Sequence, residues 1–223
     1  FQPRISAAVA EQIGHDLLTF ANYGFPESHA WSFAFIAYAT AYLKQHYPAD
    51  FYLGLLNAQP MGFYHPSTLI HDARRHGVDV RPPSLRDGRP LCTTEPAGDV
   101  QHPALRIGWR HIRGVASETV ERLERCRMLA PFTCIADTVQ RSGMTRGEAL
   151  QFARADAFHA WEPDRRRAAW EALRVCGDTY PLAPARDTDY APRTLGEREL
   201  IFLDYHATGI CVTGQPMQHL RER

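Results

Sequence analysis

The sequence predicts a mainly helical chain in two lobes with a small β-hairpin between them. Three observations carry this. Apolar residues recur at helical spacing through residues 6–57 and again through 117–175. Proline stands at helix starts (Pro48, Pro66, Pro163) and glycine just past helix ends (Gly77, Gly209). Only residues 78–109 contain the short alternating runs that strands require.

Each element follows in order. Ser6 can cap a helix reaching Asn22, with Val9, Ile13, Leu17 and Phe20 on one face. Tyr23-Gly24-Phe25-Pro26 breaks it. Ser28 caps a second helix through His46, apolar on nearly all sides and so expected to be buried, with Trp31, Phe33, Phe35, Tyr38 and Tyr42 in a core. A third helix runs from Ala49 to Asn57 and a fourth from Pro66 to His76. Val78-Asp79-Val80 reads as a short strand before Pro82-Pro83. Leu91 to Glu95 and Leu105 to Trp109 read as strands joined by a Pro/Gly loop. Helices are then expected over Ser117–Arg127, Cys134–Arg141, Thr145–Arg154 and Pro163–Val175. Proline-rich residues 177–193 form a linker, Thr194 starts a helix with a capping box to Glu197, and a short helix follows Pro216.

Composition narrows the function classes. Lys plus Arg and Asp plus Glu are 25 each, so net charge does not announce a polyanion partner. The positive charge is mostly arginine and is clustered, at 74–75, 106–113, 122–127 and 165–167. Guanidinium forks suit phosphate, though surface helices carry arginine in any case. Five scattered cysteines without Cys-x-x-Cys spacing point away from zinc and disulfides and toward a reducing cytoplasm. The longest apolar run, Ala30 to Leu43, is too short to cross a bilayer, which needs about 20 residues. The chain opens on Phe1 rather than Met, as a piece of a longer protein would.

The most specific local pattern is Ile112-Arg113-Gly114-Val115-Ala116, where an apolar run meets an amphipathic helix. That is the layout of a helix-hairpin-helix turn. Gly114 lets the backbone approach a phosphate closely. The amides of Val115 and Ala116 open a helix whose first N–H groups lack partners and whose dipole favours an anion. Arg110 and Arg113 stand beside it. An ordinary turn before a helix is the competing reading. A weaker echo lies at Glu148 to Trp161, with Ala155-Asp156-Ala157-Phe158 at the turn.

Several segments together resemble bacterial C-family DNA polymerases, the family of the DNA polymerase III alpha subunit. Tyr23-Gly24-Phe25-Pro26-Glu27-Ser28-His29-Ala30, with Ala37-Tyr38, Tyr42-Leu43-Lys44 and His46-Tyr47-Pro48-Ala49, resembles the end of that family's fingers domain. Gly77-Val78, Pro82-Pro83 and Gly108 to Val115 resemble the tandem helix-hairpin-helix region beyond it, and Glu197 to Arg221 the lead into an oligonucleotide-binding barrel. The Pro26-Glu27 pair is similar to the error-prone, damage-tolerant branch.

The resemblance implies a domain plan: 1–83 as the C-terminal fingers, 84–176 as the β-hairpin and helix-hairpin-helix DNA-binding domain, and 177–223 as linker and helices leading toward an OB-type domain. It implies a DNA-directed DNA polymerase in the full-length protein, acting in DNA repair and damage tolerance. Its partners would be primer-template DNA, deoxynucleoside triphosphates and other mutagenesis or replication proteins. Two Mg²⁺ ions would be held by palm carboxylates that lie N-terminal to the fingers. No matching carboxylate cluster is found, since Asp72, Asp79 and Asp87 have no motif around them. The chain alone is therefore expected to be inactive, with no catalytic or metal residue of its own.

The expected DNA contacts are Arg110, Arg113, Gly114, Val115 and Ala116. His29 either touches a template or nucleotide phosphate from a helix start or packs on Tyr23. Two departures matter. Ala116 replaces a frequent glycine, and Asp156 puts a carboxylate in the second hairpin turn, which reads as a packing partner. Competing expectations are a non-catalytic scaffold that docks proteins, or the same region of a replicative polymerase. No clamp-binding peptide is evident, and Gln151-Phe152 falls within a helix.

Overall fold

Helix starts and stops place most of the architecture. The computed structural model describes residues 6–22, 27–62, 64–97, 103–176, 192–212, 214 and 217. Its helices are α1 (Ala7–Asn22), α2 (Glu27–His46), α3 (Pro48–Asn57), α4 (Pro66–Arg75), α5 (Ser117–Leu129), α6 (Ile135–Ser142), α7 (Arg146–Arg154), α8 (Arg165–Val175) and α9 (Glu197–Thr208). Three short strands, β1 (Val80–Arg81), β2 (Thr93–Glu95) and β3 (Ala104–Arg106), complete the described elements. The expected mainly helical fold is borne out. The linker at 177–193, apart from its last two residues, and nearly all of the short helix after Pro216 lie outside the described residues.

The chain divides into two compact units, 1–46 and 47–223. In the first unit, Ser6 caps α1 by accepting from the Val9 N–H at 3.4 Å. Helix α2 begins at Glu27, so Ser28 stands inside its first turn instead of capping it. Lys44 and His46 lie in the last turn, where positive charge complements the dipole. The expected aromatic core is not formed: Trp31, Phe33, Phe35, Tyr38 and Tyr42 are all exposed. A helix apolar all round needs cover on every side, and two helices are all that this unit's described residues supply.

In the second unit the sheet has three strands, in the order β1-β3-β2. The hairpin β2-β3 is antiparallel, as expected, with Thr94 opposite Leu105. The Val78–Val80 run adds to it in parallel, Val80 opposite Leu105. The strand expected to reach Trp109 stops at Arg106, and Trp109–His111 form a 3-10 turn. Glycine allows this: Gly108 presses so close to Leu91 and Cys92 that a side chain there would strike their backbone. One core joins α3, α4, the sheet and Ile210, through Tyr52, Leu56, Ile70, Leu105 and Ile107. Residues on either side of position 83 therefore share that core, and the units separate at His46–Tyr47. A second core gathers Trp109, Ile112, Leu123, Ile135, Val139, Phe152 and Phe158 from α5 to α8 and the turns between them.

Capping in this second core is systematic. Cys134 Sγ accepts from Asp137 N–H at the start of α6. Thr145 and Glu148 form a capping box on α7, and Asp164 accepts two N–H bonds on α8. Helix α9 starts three residues later than Thr194, because Glu199 accepts from Gly196 N–H at 2.9 Å. The Thr194–Glu197 box is replaced by that bond.

The helix ends are closed by arginines from elsewhere. Arg141 donates to the carbonyls of Cys126 and Ala130 at the end of α5. Arg122 donates to Ser142 and Gly143 at the end of α6. Arg165 reaches the Arg154 carbonyl of α7 at 3.1 Å, and Arg146 the Leu173 carbonyl of α8 at 3.3 Å. Arg113 reaches the Tyr205 carbonyl of α9 at 3.3 Å. Carbonyls in the last turn carry the negative end of the helix dipole, and a guanidinium complements them, even at Cys126 and Tyr205, where the C-cap N–H also donates.

Arg165 also bridges two carboxylates, Asp156 at 3.1 Å and Asp204 at 2.6 Å, with its side chain only 4% exposed. Two stability outcomes follow. Arg141→Ala should lower unfolding free energy by about 1–3 kcal/mol, the scale of hydrogen bonds to a charged group. Arg165→Ala, which strands two buried carboxylates, should cost about 3–5 kcal/mol. Urea unfolding followed by circular dichroism, with the slope m unchanged, measures both.

Candidate nucleic-acid interface

The hairpin expected from sequence is present. The 3-10 turn Trp109–His111 leads through Ile112, which is buried, to Gly114 at φ +74°, and α5 begins at Ser117. A residue with a side chain would be strained at that φ. Gly114 and Ala116 are exposed and Val115 is half-buried. Among the described residues, no acceptor takes a hydrogen bond from the N–H groups of Gly114, Val115 or Ala116. Ala116 supplies no side-chain cap, whereas α6, α7 and α8 each receive a thiol, hydroxyl or carboxylate at that position. The start of α5 is thus an open row of donors at the positive end of a helix.

Its supports come from α7 and the loop before β2. Thr119 hydrogen-bonds to Glu148, the same carboxylate that closes the capping box of α7. Burial raises the Glu148 carboxyl, but the bonds from Thr119 and Thr145 outweigh it and hold the group below its ordinary range. The Gln151 side chain lies beside Gly114. Trp109, fully buried, donates from Nε1 to the Ser84 carbonyl at 2.8 Å, and Arg127 lies 5.8 Å from its ring centroid while donating to Gly88. The carbonyls of Arg89 and Pro90 accept from the N–H groups of Trp109 and Arg110. Loop 84–90 therefore closes the start of the 3-10 turn and leaves the start of α5 free. Glu148, Gln151 and this loop had no local signal in the sequence, because each meets the hairpin only through the tertiary fold.

The expected cations separate. Arg110 is exposed. Arg113 donates from its main chain to the Ala207 carbonyl at 2.7 Å and from its guanidinium to the Tyr205 carbonyl. Its guanidinium also fills the space over Gly209. The arginine clusters at 106–113, 122–127 and 165–167 divide between surface and interior: Arg110, Arg113, Arg125 and Arg167 are exposed, while Arg106 forks onto Glu95 and Arg166 binds Glu199. His29 lies in the first unit, with its ring 4.4 Å from Phe33 in an edge-on contact; Tyr23 lies outside the described residues.

The second hairpin turn faces inward. Asp156 sits at φ +65°, and the Ala157 carbonyl accepts from Leu85 N–H at 2.8 Å. Burial pushes the Asp156 carboxyl up, against the pull of Arg165 and His159, so the turn holds a buried acid instead of an open anion site. Among the described residues, no three His, Cys, Asp or Glu side chains gather as a metal ion would need. No helix of the described residues is long and apolar enough to cross a membrane.

With this geometry in hand, comparison with known proteins is direct. Residues 77–168 match the helix-hairpin-helix motif family. Over 96% of its length the chain is 41% identical to the error-prone DNA polymerase of Methylococcus capsulatus (strain ATCC 33009 / NCIMB 11132 / Bath), covering 22% of that protein. It is likewise 41% identical over 96% to the error-prone DNA polymerase of Azoarcus sp. (strain BH72), covering 21%. The enzyme of the same name from Anaeromyxobacter sp. (strain K) is 41% identical over 97% of the chain, which covers 20% of it. The chain spans about a fifth of the length of the curated relatives it matches. The resemblance to the error-prone branch is borne out.

One pH effect follows from the hairpin itself. Burial lowers the His111 pKa from its ordinary value of 6.5, and burial with Arg74 and Arg75 lowers that of His71. A base with a depressed folded pKa binds its proton more weakly folded than unfolded. Its stability contribution is complete above about pH 6.5 and shrinks as pH falls toward the folded pKa. Unfolding free energy should therefore decline between pH 7.5 and 5.5, and His111→Gln should flatten that decline, leaving the His71 share. Urea titrations at four pH values check it.

Proposed function

We propose that this chain is the DNA-positioning part of an error-prone DNA-directed DNA polymerase, working in damage-tolerant synthesis and repair. The observation that carries it is the uncapped, exposed start of α5 behind Gly114, within a segment that matches the helix-hairpin-helix family. The names of the relatives support the polymerase context. In this reading residues 1–83 belong to the fingers, 84–176 to the DNA-binding region, and 177–223 lead toward an OB-type domain. Joining nucleotides, with its Mg²⁺ and deoxynucleoside triphosphates, belongs to other parts of the full-length enzyme. The chain by itself is then inactive in synthesis.

The hairpin grips one sugar-phosphate strand of primer-template DNA. Phosphate oxygens accept from the amides of Gly114, Val115 and Ala116, and Arg110 adds charge. Contacts of this kind fix register and carry no sequence information. They suit an enzyme that must hold duplexes of any sequence. His29 as a phosphate contact from the first unit belongs to the same proposal, and so does docking of other replication or mutagenesis proteins.

Since several arginines around the hairpin, namely Arg106, Arg113, Arg122 and Arg127, already donate to carboxylates or carbonyls of the fold, binding rests on main-chain dipoles and few cations. The log-log salt slope should be shallow, about −1 to −2, corresponding to one or two displaced counterions. Fluorescence anisotropy with a labelled duplex at several salt concentrations measures it. Arg110→Ala should reduce the slope by about one, and Gly114→Val should weaken binding of every duplex sequence about equally. A chain that binds no DNA at 25 mM salt (about a 20 Å Debye length) would reject this reading and favour a protein-docking scaffold.

A further inference from the structure

We infer that Arg113 is a positioning residue, which sets the pose of the DNA hairpin by locking it to the end of α9, and is not itself a phosphate ligand. This deepens the hairpin reading above and rests on it for its consequence in DNA binding. Three contacts make the lock. The Arg113 N–H donates to the Ala207 carbonyl at 2.7 Å. Its Nη1 donates to the Tyr205 carbonyl at 3.3 Å. Its guanidinium lies over Gly209, which ends α9 at φ +72°. The residue immediately before Gly114 is therefore bonded through both main chain and side chain to one helix end.

Geometry favours this over a phosphate contact. The Arg113 side chain is exposed, yet its guanidinium already has a partner of the right polarity in the Tyr205 carbonyl, at the negative end of α9, which it shares with the Gly209 N–H. Gly209 is what makes room: any Cβ there would meet the guanidinium. Glycine at this position thus serves two purposes, an αL helix end and a seat for Arg113. Helix α9 is itself anchored, since Asp204 pairs with the buried Arg165 and accepts from Val212 N–H at 3.1 Å. Arg165 in turn holds Asp156 in the second hairpin. A continuous set of bonds therefore runs from the second hairpin through Arg165, Asp204 and α9 to Arg113 and the first hairpin. DNA held at Gly114–Ala116 bears on α9 through that set, and displacement of α9 shifts the amides that hold DNA.

The test compares Arg113→Ala, Gly209→Ala and Arg110→Ala in the 223-residue chain. Each is titrated with a labelled DNA duplex across salt, and amide resonances are recorded without DNA. Arg113→Ala and Gly209→Ala should both weaken binding, about five- to tenfold, with the salt slope unchanged. Both should move the amide resonances of Gly114 to Ala116, although Gly209 is far away in sequence. Arg110→Ala should lower the slope by about one. Arg113→Ala lowering the slope by about one would overturn the proposal. So would a folded Gly209→Ala with unmoved hairpin resonances. Should Gly209→Ala not fold, the slope of Arg113→Ala decides alone. Loss of DNA binding by the unsubstituted chain would reject the hairpin reading, while the resonances still decide whether α9 positions the hairpin.

Discussion

Everything around the candidate interface depends on arginine side chains reaching across the fold to the carbonyl ends of helices. Five helices from α5 to α9 end on a guanidinium supplied by another element. The physical fit is close. The last carbonyls of a helix lack internal partners and carry partial negative charge, while guanidinium offers several donors in a plane and never deprotonates. Lysine would present a single, strongly hydrated point charge at such a place. Because each donor comes from a different element than the helix it closes, every bond also fixes a pair of elements in relative position.

This use of charge changes how the neutral composition reads. Equal numbers of acids and bases leave no net attraction to a polyanion, and the clustered arginines divide: Arg74, Arg75, Arg110, Arg113, Arg125 and Arg167 are exposed, whereas Arg165 is buried and Arg106, Arg122, Arg127 and Arg166 are half-buried on partners within the fold. Besides those exposed cations, nucleic acid is offered a set of main-chain donors. Three neighbouring helix starts are capped by Cys134, Thr145 and Asp164, the five helix ends are closed by arginines, and the second hairpin faces inward. The start of α5 is left open by Ala116, which has no polar group to give. An opening of this kind is stable only in contact with water or an anion, and its position beside a glycine at positive φ allows a phosphate to come close.

Much of the helical order was legible because it depends on neighbours in sequence. Pro48 and Pro66 start α3 and α4, and Gly209 ends α9, as their backbone preferences require. The Gly114 turn was legible for the same reason. Misplacements came where a distant group intervened. Trp109 leaves the strand because Gly108 meets the loop at Leu91, and β1 joins the sheet through a parallel pairing that no local pattern announces. The aromatic residues of α2 read as core by composition, yet burial depends on what lies opposite, and the first unit's two described helices do not enclose them.

The sequence by itself therefore determined the helices, most of their starts, and the glycine turn that presents free amides. Only the tertiary structure decided which cations are tied to carbonyls of the fold, so that of Arg110 and Arg113, both exposed and three positions apart, Arg113 is bonded to the end of α9. The reason is chemical. A capping serine or a turn glycine is a residue type and can be read, but a helix end offers carbonyls that every residue possesses. Nothing in the letters marks which guanidinium will reach them until the chain has folded.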